Sequence, residues 1–143
     1  MEAKDTCVCL ETAEALHDAG IVVDSYFHWW RDEDGYFIDK WIDFGGKKLF
    51  ATRNGKESYY VSSAPTAEEL RKYLKTWVSI NDKRYKLTLT FEDNGSIRAY
   101  YFCYQVRKDR VLCGEIKEYE KLCEAFADAI MKLKEAGYGQ ERA

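Results

Sequence analysis

The segment Ser25 to Trp41, SYFHWWRDEDGYFIDKW, sets three tryptophans, two tyrosines, two phenylalanines and His28 around one acidic turn. Rings at that density can stack on bases or sugars, anchor a protein partner, or fill the inside of a small sheet. If the segment is a hairpin, neighbouring residues point to opposite faces, so the consecutive aromatics cannot all face one core. The reading therefore predicts spare aromatic surface. Residues singled out for it are Trp29, Trp30, Trp41 and His28, with Tyr101 further along and the cations Arg53 and Lys56 nearby.

Catalytic chemistry has few candidates. His17 and His28 are the only imidazoles, and His17 beside Asp18 near a helix end is explained by the helix dipole alone. His28 could meet Asp39 or Asp43 across a hairpin, yet no serine or cysteine is tied to it by spacing, so no catalytic residue is assigned. Five cysteines, at positions 7, 9, 103, 113 and 123, contain no C-x-x-C pair and read as reduced thiols rather than metal ligands or disulfides. No phosphate-cradling glycine motif occurs, so neither a metal nor a cofactor is expected.

Charge narrows the partners. A net charge of −3 from 25 acidic and 22 basic residues gives no global attraction to nucleic acid or an anionic membrane. Cations do gather locally, at Lys47, Lys48, Arg53 and Lys56 and again at Arg107, Lys108 and Arg110. The amino-terminal stretch is acidic and lacks a long apolar run, which points to a cytoplasmic protein without a membrane span.

The elements that must position these residues follow from periodicity and turn chemistry. A first helix is expected from about Thr6 or Val8 to Ala19, with Cys9, Ala13 and Leu16 on one face and Gly20 as its stop. Four strands follow at about 24–31, 36–43, 48–53 and 56–62, cut by DEDG, GG and NG. A three-residue loop in DEDG would place Trp30 opposite Ile38; a two-residue Asp34-Gly35 turn would place Trp30 opposite Asp39.

After Pro65, Thr66-Ala67-Glu68-Glu69 matches the capping box of a second helix, whose buried stripe would be Leu70, Tyr73, Leu74 and Trp77. Residues 84–92 alternate as a strand, and a two-residue Asn94-Gly95 turn would place Leu89 opposite Tyr100, with Tyr100, Phe102 and Tyr104 in the core. A short strand around Val111 to Ile116 and a last helix from about Tyr119 to Ala136, ending at Gly137, complete the chain. The expected fold is a single α+β domain over residues 1–143. It has one mostly antiparallel sheet of six or seven strands with three helices on one face, in the order α-β-β-β-β-α-β-β-(β)-α.

That order, with the helix Cys9 to Leu16 ending at a glycine, the Ala-Pro-Thr cap at 64–66 and the final helix through Ala129-Ile130, resembles a group of small α+β proteins of gut-bacterial genomes, prophages and mobile elements. The resemblance implies a phage-like origin and no assigned activity. Aromatic surplus without catalytic residues reads as a non-enzymatic interaction or accessory module that binds a protein partner or its own copy. The alternative is single-stranded nucleic-acid binding through aromatic strands with Arg53, Lys56, Arg107 and Arg110. A small enzyme using His28 is the third reading.

Overall fold

Thr66 and Glu69 form the reciprocal pair their spacing predicts. The Thr66 amide donates to Glu69 Oε1 at 2.9 Å, and the Glu69 amide donates to Thr66 Oγ1 at 3.3 Å. The same carboxylate also accepts from Ser25 Oγ and from the Tyr26 amide, each at 2.8 Å. One side chain thus caps a helix and fixes the entry to the aromatic hairpin.

The computed structural model of the protein describes residues 3–40, 50–53, 56–105 and 110–138. The elements run α1 (Ala3–Thr6), α2 (Leu10–Asp18), β1 (Phe27–Asp32), β2 (Gly35–Lys40), β3 (Phe50–Arg53), β4 (Lys56–Ser63), α3 (Ala67–Arg71), β5 (Trp77–Ile80), β6 (Lys83–Phe91), β7 (Ile97–Cys103) and α4 (Leu122–Glu135). The α+β class holds. The single sheet does not: a four-stranded sheet ordered β2-β1-β4-β3 and a three-stranded sheet ordered β5-β6-β7 take its place, both antiparallel. They belong to two compact units, Met1–Glu69 and Leu70–Ala143.

In the first unit, α2 ends as its glycine predicts. Gly20 adopts φ 76°, its amide donates to His17 O, and the Ile21 amide reaches Leu16 O at 2.9 Å, which is the Schellman pattern. Ala13 and Leu16 are buried, whereas Cys9 is the exposed N-cap residue rather than part of the buried face. The segment before it pairs backward, with the Val8 amide donating to Pro65 O at 3.1 Å and Cys7 bridging Thr66.

The β1–β2 hairpin takes neither expected register. Its loop is Glu33-Asp34, with Asp32 opposite Gly35, Trp30 opposite Phe37 and Trp29 opposite Ile38. Asp32 Oδ1 accepts from the Asp34 amide at 2.8 Å, an Asx turn that moves the reversal one residue earlier. On the other side of β1, the register with β4 shifts between Trp29 and Trp30, because Val61 is an extra residue on β4.

In the second unit two further expectations are corrected. The helix begun at Ala67 stops at Arg71, and Trp77 lies on β5 rather than on a helical stripe. Leu70 and Leu74 are buried as predicted, but Tyr73 and Trp77 are exposed. The β-branched run around Val78 favours strand, and Asn81 and Asp82, with φ 52° and 65°, make a type I′ turn into β6.

The β6–β7 turn has three residues, Asp93-Asn94-Gly95, closed by Gly95 N to Glu92 O and Glu92 N to Ser96 O, both 2.9 Å, with Gly95 at φ 87°. The register therefore pairs Tyr85 with Cys103, Leu87 with Tyr101 and Leu89 with Ala99. A one-residue slip exchanges the faces of a strand. Ala99, Tyr101 and Cys103 are the buried row beneath α4, while Tyr100, Phe102 and Tyr104, expected in the core, point the other way. Tyr101 donates its hydroxyl to Lys75 O at 2.6 Å, and burial holds its phenol well above the ordinary value.

Residues 110–119 run along β7 without forming the expected strand. Cys103 N donates to Arg110 O at 2.7 Å, Leu112 N to Tyr101 O at 2.9 Å, and Tyr119 bridges Ile97. Lys132 on α4 clasps this segment, pairing with Asp128 Oδ2 at 3.2 Å and donating to Glu115 O. Among the described residues, no helix is long and apolar enough to cross a membrane.

The Glu69 network makes a prediction. Burial raises the Glu69 pKa, but the hydrogen bonds from Thr66, Tyr26 and Ser25 outweigh it, and the net shift is downward from the ordinary 4.5. The folded value is the depressed one, so the stabilisation is complete above about pH 4.5 and is lost as pH falls through the lower folded value. Urea midpoints between neutral and acidic pH should decline less in Glu69→Gln than in the wild type. Thr66→Ala should cost about 1 kcal/mol at neutral pH.

Candidate nucleic-acid interface

The residues named from sequence for an interaction surface divide sharply. Trp30 is fully buried and stands edge-on to Tyr60, with ring centroids 5.7 Å apart; Tyr101 is buried beneath α4. Neither can present a ring to a partner. Trp29 is half-buried and its indole donates to Val8 O at 3.1 Å. Arg53 and Lys56 are backbone register partners of β3 and β4. Trp41, Asp43, Lys47, Lys48, Arg107 and Lys108 lie outside the described residues.

His28 is 9% exposed, 5.4 Å from the Tyr60 ring, and opposite Asp39 in the ladder. Desolvation lowers its pKa, opposed by a backbone hydrogen bond at Ser25 and by the charges of Glu69 and Asp24. The ring is packed between neighbours and offers little surface to a reactant. Among the described residues, no group of three or more His, Cys, Asp or Glu side chains could hold a metal ion.

An open aromatic surface flanked by cations lies on the second sheet. Its outer face carries a row across all three strands, Trp77 on β5, Lys86 on β6 and Phe102 on β7. Trp77 is 43% exposed and Tyr104 62% exposed. Arg84 lies 4.6 Å from the Trp77 ring centroid and Lys86 5.6 Å, both within cation–π range. Phe102 meets Tyr104 edge-on at 4.8 Å and Tyr100 at 6.5 Å, and Arg110 stands 5.8 Å over it. The backbone pairing of residues 110–112 with β7 is what brings Arg110 there.

At the far end of the same face, Arg98 is engaged by Glu118 and by Glu92 at 3.7 Å. Accessible positive charge is therefore concentrated around Arg84, Lys86 and Arg110. The charge of the whole chain hides this. Residues 1–69 hold 14 acidic and 7 basic side chains, a formal −7, and residues 70–143 hold 11 and 15, a formal +4. The aromatic platform sits in the basic unit.

Trp77, Arg84, Lys86 and Phe102 escape sequence reasoning because Leu70, Leu74 and Trp77 also fit a helical spacing and the turn in EDNGS admits two or three residues. The signals existed: Asn81-Asp82 between alternating runs, and Asp93-Asn94-Gly95 as a three-residue loop ending in glycine.

The His28 environment is testable. A folded pKa below 6.5 means that protonation favours the unfolded chain, so its stability contribution is complete above about pH 6.5 and declines as pH falls through the lower folded value. Imidazole resonances followed by NMR should give a His28 midpoint below 6.5; a midpoint above it would mean that the ring is charged in its packed site. No family model matches this chain, and no curated protein or solved structure does.

Proposed function

We propose that the protein binds single-stranded nucleic acid through the outer face of the second sheet, without catalysing a reaction. The observation that carries the reading is the row Trp77–Lys86–Phe102, in which a cation stands between two outward-facing aromatic residues, with Arg84 and Arg110 over those rings. Unstacked bases can lie on Trp77 and Phe102 or on the guanidinium planes, while phosphates meet the cations. A duplex hides its base faces and is a poorer match. Three accessible cations among the described residues make this a modest site, and the aromatic contacts carry most of the contact area.

A labelled thymidine oligonucleotide followed by fluorescence anisotropy tests the reading. With about three phosphates neutralised, affinity should fall roughly 20-fold between about 50 mM and 200 mM salt. Trp77→Ala or Phe102→Ala should each weaken binding by about 1–3 kcal/mol, or roughly 5- to 150-fold, with the thermal unfolding transition retained as the control for folding. Binding that ignores both salt and these substitutions, or no binding at the lower salt, rejects the proposal.

A further inference from the structure

The first sheet carries an exposed row of similar build and opposite surroundings. Tyr36 on β2, Arg31 on β1 and Tyr59 on β4 are register partners across three strands. Tyr36 is 51% exposed and Tyr59 46% exposed. Glu57, on the same side of β4, accepts from the Tyr59 hydroxyl at 2.8 Å, and the antiparallel register puts the turn Asp32-Glu33-Asp34 at that same end of the row. Arg31 is the cation of the row, and among the described residues four carboxylates, Asp32, Glu33, Asp34 and Glu57, lie at its end.

Each unit thus presents exposed rings on a sheet face, one in a field of −7 and the other in a field of +4. Complementary potentials speed encounter and set orientation, and tyrosine, tryptophan and arginine are the side chains that anchor interfaces. We infer that a second copy of this chain docks its second-sheet face, Trp77, Phe102, Arg84 and Lys86, against the first-sheet face, Tyr36, Tyr59, Glu33 and Glu57. The contact is heterologous, head to tail, so the docked pair retains one unused face of each sign and can add another copy.

A second copy is favoured over a foreign basic peptide because the matching surface is already encoded on the same chain. The docked state covers Arg84 and Lys86 of one copy, so docking and oligonucleotide binding exclude one another at that face. That exclusion rests on the function proposed above; the docking does not.

Light scattering on the full chain at about 200 µM tests the docking at about 30 mM and 500 mM salt, since screening shortens from beyond 10 Å to a few ångströms over that range. The apparent mass should rise above 16.7 kDa with concentration at low salt and return to it at high salt. Arg84→Glu with Lys86→Glu, and separately Glu33→Lys with Glu57→Lys, should each be monomeric, and mixing the two variants should restore association. A strict monomer at low salt overturns the inference, as does an oligomer that survives both charge reversals. Glu33→Lys with Glu57→Lys leaves the second-sheet face untouched. If it is monomeric yet fails to bind the oligonucleotide, the nucleic-acid reading falls and the docking stands.

Discussion

A single carboxylate holds the first unit in its geometry. Glu69 accepts from the Thr66 amide at the start of α3 and from Ser25 and Tyr26 at the entrance to β1, so a local cap and a contact 44 residues distant in sequence share one group. Charge-assisted bonds of this kind are about twice as strong as neutral ones, and three on one side chain restrict its rotamers. Where β1 begins decides which residues alternate inward, and so the burial of His28 and Trp30 follows from it. The Ala64 amide donating to Phe27 O at 2.9 Å continues the ladder to the same corner.

The start of α3 and the end of α2 were readable because their signals are chemical and local. Thr66 and Glu69 meet as their spacing requires, and Gly20 takes the left-handed conformation that closes α2. Hairpin register was not readable to the same degree, because it depends on the number of residues in a turn, and DEDG and EDNGS each admit more than one count. In both hairpins the observed turn differs by one residue from the expected one. For β7 this exchanged Tyr100, Phe102 and Tyr104 with Ala99, Tyr101 and Cys103, turning an expected core into a surface.

The surplus of aromatic residues was legible and its location was not. The opening segment spends Trp30 on the interior and Trp29 on a bond to Val8, while the exposed rings of the basic unit include Trp77 and Tyr104. Trp77 was hidden by its spacing from Leu70 and Leu74, which suits a helix as well as it suits a chance alignment before a strand. Arg84 and Lys86 read as ordinary solvated positions until β5 placed a ring beside them. Averaging over the chain concealed the rest, since opposite charges on its two halves nearly cancel.

Arg98, occupied by Glu92 and Glu118, acts as an end stop on the outer face of the second sheet. From Arg84 to Thr88 a strand advances about 13 Å, and beyond that the surface turns negative. On the function proposed here, a footprint so short would limit the residence time of any one contact. Occupancy on a long polymer would then grow by rebinding at neighbouring positions, and the molecule would behave as a fast-exchanging coat instead of a clamp.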